Sequence, residues 1–282
     1  MGKWRPRRTL HFHSRLRDAE RTTRADDWSG KSDHVAPEVE EHWEALNRHC
    51  ADRSSRLRLG RLLHRLNHRD AGVRESALAE LELATQLIRA GAYLVFLPES
   101  QTRTADLECS LGRERFFAEV TAMVGSSARH RLPLRGLLKD KVQEDEEDRG
   151  IILIHRILAR ISQKAKQLAD YCDPVVLSIS VPRADLKGTT QKKREEIRLD
   201  LKQLAAAVTV LLQTLTHLSA VLITLWDVTP LPARAATRLA NVDLAERTRH
   251  QKGHPRVRLM IQNPRALASL TDRQQDTFRQ IL

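Results

Sequence analysis

Three acids in this chain, Glu80, Asp106 and Glu119, stand where their type and setting could do chemistry. Each is a lone carboxylate in an apolar stretch, where a charge without a partner is expensive. They fall within "ESALAELELATQLIRAGAYLVFLPESQTRTADLECSLGRERFFAEVTAM", residues 75–123, a helical pattern followed by three strand patterns. With Gly112-Arg113 as a two-residue turn, the flanking strands pair so that Asp106 lies across from Glu119, both side chains on one face. Alternation along "RFFAEVT" puts Glu119 and Thr121 on that face and Phe116, Ala118 and Val120 on the other. Glu80 lies on the apolar stripe of the preceding helix, between Ala77 and Ala84, whereas Glu82 points away. Carboxylates that converge in a buried place repel one another unless a proton or a cation neutralises them, and a hard divalent ion such as Mg²⁺ held by oxygens is the usual solution.

These acids must be positioned by their elements. Ala77, Leu81, Ala84, Leu87 and Ile88 make a helical stripe that stops at Gly91. "AYLVFL", "ADLECSL" and "RFFAEVT" are expected strands, the last two joined at the tight turn. Residues 124–150, running from "GSS" to "EDEEDRG", are irregular and suit an insertion or a loop that docks a protein partner. "IILIHRILARISQKAKQLADY" has helical period, and "PVVLSISV" is an apolar run of strand length, the form expected when both faces are covered. "KKREEIRLDLKQLAAAVTVLLQTL" reads as one long helix, with "SAVLITLW" and "RVRLMIQN" as two further strands. Residues 205–226 have no formal charge over about a membrane-span length, but their polar interruptions and β-branched second half fit a core helix running into a buried strand.

Upstream, "SSRLRLGRLLHRLNHR" sets Leu57, Leu59, Leu62, Leu63 and Leu66 among Arg56, Arg58, Arg61, Arg65 and Arg69. This is a basic amphipathic helix, with two readings: arginines that track phosphates, or leucines packed on the main domain beneath solvated arginines. His64 and His68 stand one turn apart on it, and His11 and His13 flank Phe12, but neither pair has a third or fourth ligand at zinc-site spacing.

The chain carries 48 Lys and Arg against 36 Asp and Glu, a formal charge of +12, which favours a polyanionic partner, nucleic acid before a membrane surface. Its 282 residues with 41% hydrophobic content allow one sizeable core or two small ones, and one core with an arm is expected. Cys50, Cys109 and Cys172 have no paired spacing, so no disulfide framework or four-cysteine zinc site is expected. The opening "MGKWRPRRTLHFH" lacks the apolar run of a secretory signal, and a cytoplasmic location is expected.

The order helix, strand, Asp strand, Glu strand, helix, strand over about residues 72–182 resembles the PD-(D/E)XK nuclease superfamily, the restriction endonuclease-like fold. The resemblance implies that Glu80, Asp106, Glu119 and Val120 hold Mg²⁺ or Mn²⁺. In that family a Lys two residues after the Glu orients the attacking water, and a Pro precedes the Asp; here those positions are Thr121 and Ala105. Some members move the Lys to a neighbouring helix, and "KAKQLADY" offers Lys164, Gln167 and Tyr171 on one helix face, the last two matching the Gln-x-x-x-Tyr pattern of RecB-like members.

The expectation is therefore an α/β restriction endonuclease-like mixed sheet flanked by helices: a basic, partly helical arm over 1–70, a nuclease-like domain over 71–265 with an insertion at 124–150, and a C-terminal tail or helix over 266–282. The expected function is metal-dependent phosphodiester hydrolysis, with DNA as the expected partner and Arg56, Arg58, Arg61, Arg65 and Arg69 on its phosphates. Two other readings stand beside it: a degenerate nuclease fold acting as a nucleic-acid-binding or assembly subunit, and an adaptor that docks protein through residues 124–150. A homodimer and RNA in place of DNA are left open by the residues.

Overall fold

Caps and glycines set the limits of the helices around the site. The computed structural model describes residues 37–98, 105–123, 146–181, 197–231, 240–249, 251 and 253–282. Helix α1 spans Pro37–His49. Helix α2, Arg53–Leu66, starts where the Asp52 side chain accepts a hydrogen bond from the Ser55 amide at 2.8 Å. Helix α3, Ala71–Arg89, begins behind the Asp70 cap. It ends at Gly91, whose φ of +88° only glycine adopts without strain, and the Ala92 amide turns back to the Leu87 carbonyl.

Strand β1, Tyr93–Phe96, follows at once, then β2, Leu107–Leu111, and β3, Glu114–Ala122. Leu111 pairs with Glu114 and Leu107 with Ala118, so the turn is Gly112-Arg113, with Gly112 at φ +69°. Helix α4, Glu146–Ala165, leads to β4, Val175–Val181. Next come β5, Ile197–Leu199, helix α5, Leu201–Leu212, and β6, Ala220–Leu225. The chain closes with β7, Val228–Pro230, β8, Val242–Glu246, β9, Val257–Gln262, and helix α6, Asp272–Ile281.

The fold is α/β. Seven strands form one mixed sheet in the order β1-β2-β3-β4-β6-β9-β8, parallel only at β3/β4 and β4/β6, while β5 and β7 make a separate parallel pair. One face of the sheet (Phe116, Ala118, Val120, Val176, Leu222) packs on Leu46, Leu59, Leu62, Leu81, Leu87 and Phe278 from α1, α2, α3 and α6. The other (Phe117, Leu177, Ile179, Val221, Ile223) packs on Ile157, Ile161, Leu204 and Val208 from α4 and α5. Both faces of β4 and β6 are covered, which explains their unbroken apolar runs.

Three expectations change. The helix expected to run through Tyr171 ends at Ala165, because His217 Nε2 lies 2.8 Å from the Ala165 carbonyl and the chain breaks into tight turns, Gln167 to Lys164 at 2.9 Å and Leu168 to Ala165 at 3.0 Å. The long helix expected across "EEIRLDLKQL" begins only at Leu201, since Asp200 takes the cap position and accepts from the Lys202 and Gln203 amides at 2.9 and 3.0 Å; Ile197–Leu199 is strand instead. The boundary expected near residue 70 is displaced as well: Glu41–Leu282 is one compact unit, with Leu59 and Leu62 of α2 wholly buried. The packed-leucine reading of α2 thus describes it. The charge-free stretch 205–226 resolves into α5 and β6, and no helix among the described residues is long and apolar enough to cross a membrane. The 124–150 segment lies mostly outside the described residues, which resume with α4.

Candidate active site

Asp106 stands one residue before β2, with its carboxylate oriented by the Val120 amide of β3, which donates to Oδ2 at 2.9 Å. Glu119, on β3, is 4% exposed and within hydrogen-bonding reach of Asp106. The two carboxyls therefore meet as turn and alternation require. Burial, then the Asp106 charge, pushes the Glu119 carboxyl up to about 7 against the opposing pull of Lys164.

Lys164, in the last turn of α4, places Nζ 2.5 Å from Glu119 Oε1. An ammonium thus reaches the acid pair from a neighbouring helix. Thr121, two residues after Glu119 and on the same face of β3, is 3% exposed and pairs in the sheet with Ile179. Tyr171 lies beyond the helix with Gln167, so the expectation that Lys164, Gln167 and Tyr171 share a helix face is corrected. Tyr171 still belongs to the neighbourhood: its hydroxyl accepts from the Ala105 amide at 2.6 Å and its ring lies 4.5 Å from that of Phe117, fixing the backbone just ahead of Asp106. Gln167 is half-buried in the turn after Ala165.

Glu80, 2% exposed, does not turn toward Glu119. Its Oε1 accepts from Arg58 Nε at 3.1 Å and from Arg58 Nη2 at 3.0 Å, and its Oε2 accepts from Arg65 Nη1 at 3.3 Å. The same Arg58 Nη2 reaches Asp106 Oδ1 at 2.9 Å. Burial and the Asp106 charge push the Glu80 carboxyl up to about 8, against the pull of Arg58 and Arg65. Two of the five arginines expected on phosphates are therefore paired with these acids, Arg58 buried at 5% exposure and Arg65 28% exposed, and Arg56 Nε donates to the Cys50 carbonyl at 3.1 Å. Arg56, Arg61 and Arg69 stand at the surface.

Two residues of the site are not evident from motif matching. Arg160, one turn before Lys164 on α4, donates from Nη2 to the Ala122 carbonyl at 3.3 Å and sits in the field of Glu119. Its four-residue spacing from Lys164 is the available signal. Arg58 also has a signal: Ser55, Arg58, Leu62 and Arg65 follow helical spacing on the face that packs inward. A cation on a buried stripe calls for an acid across from it.

As a donor set, Asp106 and Glu119 offer hard carboxylate oxygens that repel one another, and this pair fits an oxygen-liganded divalent cation. Glu80 is tied to arginines, so the acids that meet are two; among the described residues no three His, Cys, Asp or Glu side chains form a metal-holding group. The chain is an α/β protein with a mixed seven-stranded sheet and a buried acid–cation cluster at the start of β2. No family model matches it, and neither a curated protein nor a solved structure is found to be significantly similar.

Proposed function

We propose that this chain is a divalent-metal-dependent nuclease with restriction endonuclease-like architecture, hydrolysing phosphodiester bonds in nucleic acid, with DNA as the favoured substrate. The observation that carries this reading is the contact of Lys164 Nζ with Glu119 beside Asp106, because an acid pair with a lysine at hand is what such hydrolysis needs. Asp106, Glu119 and the Val120 carbonyl would hold Mg²⁺ or Mn²⁺. When bound, such an ion polarises the phosphate and lowers the pKa of a coordinated water.

The protein's own residues do the rest. The Val120 amide and the Tyr171 clasp on Ala105 hold Asp106 in one orientation, so that little reorganisation remains when charge develops. Lys164, 21% exposed, supplies a cation that can turn from Glu119 to an oxygen bearing developing charge. Arg160 adds a second cation one turn away. The net charge of +12 and the exposed Arg56, Arg61 and Arg69 favour a phosphate backbone.

The test is cleavage of plasmid, single-stranded DNA and RNA with and without Mg²⁺ or Mn²⁺. Wild type should cut only with metal, and Asp106→Ala and Glu119→Ala should not cut. Absence of cleavage in every arm, with salt-sensitive DNA binding retained, would move the reading to a degenerate nuclease fold that binds nucleic acid. That second reading draws on two observations, Thr121 in the usual lysine position and Arg58 lodged among the acids.

A further inference from the structure

We propose that Arg58 is a resident cation of the acid cluster, which a divalent metal ion has to displace from Asp106 before it can be held there. The inference rests on the metal-dependent reading of Asp106 and Glu119 and adds to it the competitor that governs access.

Both oxygens of Asp106 are engaged: Oδ2 accepts from the Val120 amide at 2.9 Å and Oδ1 from Arg58 Nη2 at 2.9 Å. The backbone contact orients the carboxylate without charge. The guanidinium brings a full positive charge to the oxygen otherwise available to an ion, and two cations at one carboxylate oxygen repel strongly where little water enters, as around Arg58 at 5% exposure. Arg58 can leave Asp106 without being stranded, because Nε and Nη2 both hold Glu80 Oε1, at 3.1 and 3.0 Å. Glu80 is in turn braced by Arg65 at 3.3 Å. Glu80 thus serves as the mooring for the guanidinium and not as a third metal ligand, which explains why a buried acid on α3 faces arginines.

A divalent ion at Asp106 Oδ1 needs the cation already on that oxygen to withdraw. Arg58 is the one that touches Asp106 and has a second acid to retreat to.

The experiment is Mn²⁺ binding to the metal-free full chain, followed by the electron paramagnetic resonance signal of the free ion, for wild type, Arg58→Gln, and Arg58→Gln combined with Glu80→Gln. The double variant also removes the buried Glu80 carboxylate that a missing arginine would leave unpaired, so it supplies the answer if the single variant does not fold by circular dichroism. Removing the competitor should tighten Mn²⁺ binding by about tenfold or more, a coupling of ordinary size between two ligands, and adding Asp106→Asn should abolish the gain. Equal or weaker binding by the variants, with wild type binding Mn²⁺, would overturn the role of Arg58 and leave the nuclease reading standing. Binding by none of them would remove the two-acid metal site and this inference with it.

Discussion

The carboxyl of Glu119 is the residue on which local physics is most exposed to measurement. Burial, with Asp106 behind it, raises its folded pKa to about 7, from an ordinary value of 4.5. Between those values the folded protein holds a proton that the unfolded chain has released, so stability is full below pH 4.5 and declines as pH rises toward 7. Glu80, raised to about 8, extends the decline in the same direction. Thermal melts of the metal-free protein should therefore show Tm falling across this window, and Glu119→Gln should make the fall shallower. An unchanged slope would assign it elsewhere. Lys164 supports a second prediction. If its ammonium stabilises developing charge, Lys164→Ala should lower cleavage by about 10² to 10³ while leaving DNA affinity nearly intact. Equal cleavage by the variant would remove Lys164 from the chemistry.

At the scale of elements, helix α2 has two faces with two duties. Its inner face buries Leu59 and Leu62, lets Ser55 Oγ accept from the Phe96 amide at 2.9 Å, and sends Arg58 to the acids. Leu62→Ala should cost about 2–5 kcal/mol in denaturant unfolding, as for a fully buried leucine. Deleting residues 1–70 as though they were an appendage would strip Leu46, Leu59 and Leu62 from the core, so it cannot serve as a binding test. The outer face carries Arg56 and Arg61. Reversing both to Glu gives up the Arg56 contact with the Cys50 carbonyl but none of the buried leucines, and should lower the slope of log affinity against log salt by about 0.9 for each phosphate that is no longer neutralised. An unchanged slope would mean that α2 packs and does not touch nucleic acid.

For the whole molecule, a ligand that binds the folded chain and not the unfolded one raises stability by mass action, by about 2.7 kcal/mol at a hundredfold excess over its Kd. Saturating Mn²⁺ should thus raise Tm of the wild-type chain and leave Asp106→Asn unmoved. A shift that survives Asp106→Asn would place the ion elsewhere. The sheet makes this a global readout, because Asp106 leads into β2, Glu119 lies in β3, and β3 pairs directly with β4.

The local features of this site were legible in the residues. The Gly112-Arg113 turn sets the register, alternation sets the faces of β3, and together they bring Asp106 to Glu119; both rules act over a few residues and need no partner element. The stop at Gly91 is of the same kind. Helix ends that depend on distant groups were less legible, as at Ala165, whose carbonyl meets His217. What only tertiary structure decided is the pairing of charges. Arg58 finds Glu80 across 22 residues of sequence and Asp106 across 48, and Lys164 finds Glu119 across 45. The helical stripe turns Arg58 inward and the helical period makes Lys164 a candidate, but neither names the acid that each cation meets. That choice follows from how α2, α3 and α4 pack on the two faces of the sheet, since a buried charge is held by whichever opposite charge the packing brings within hydrogen-bond distance.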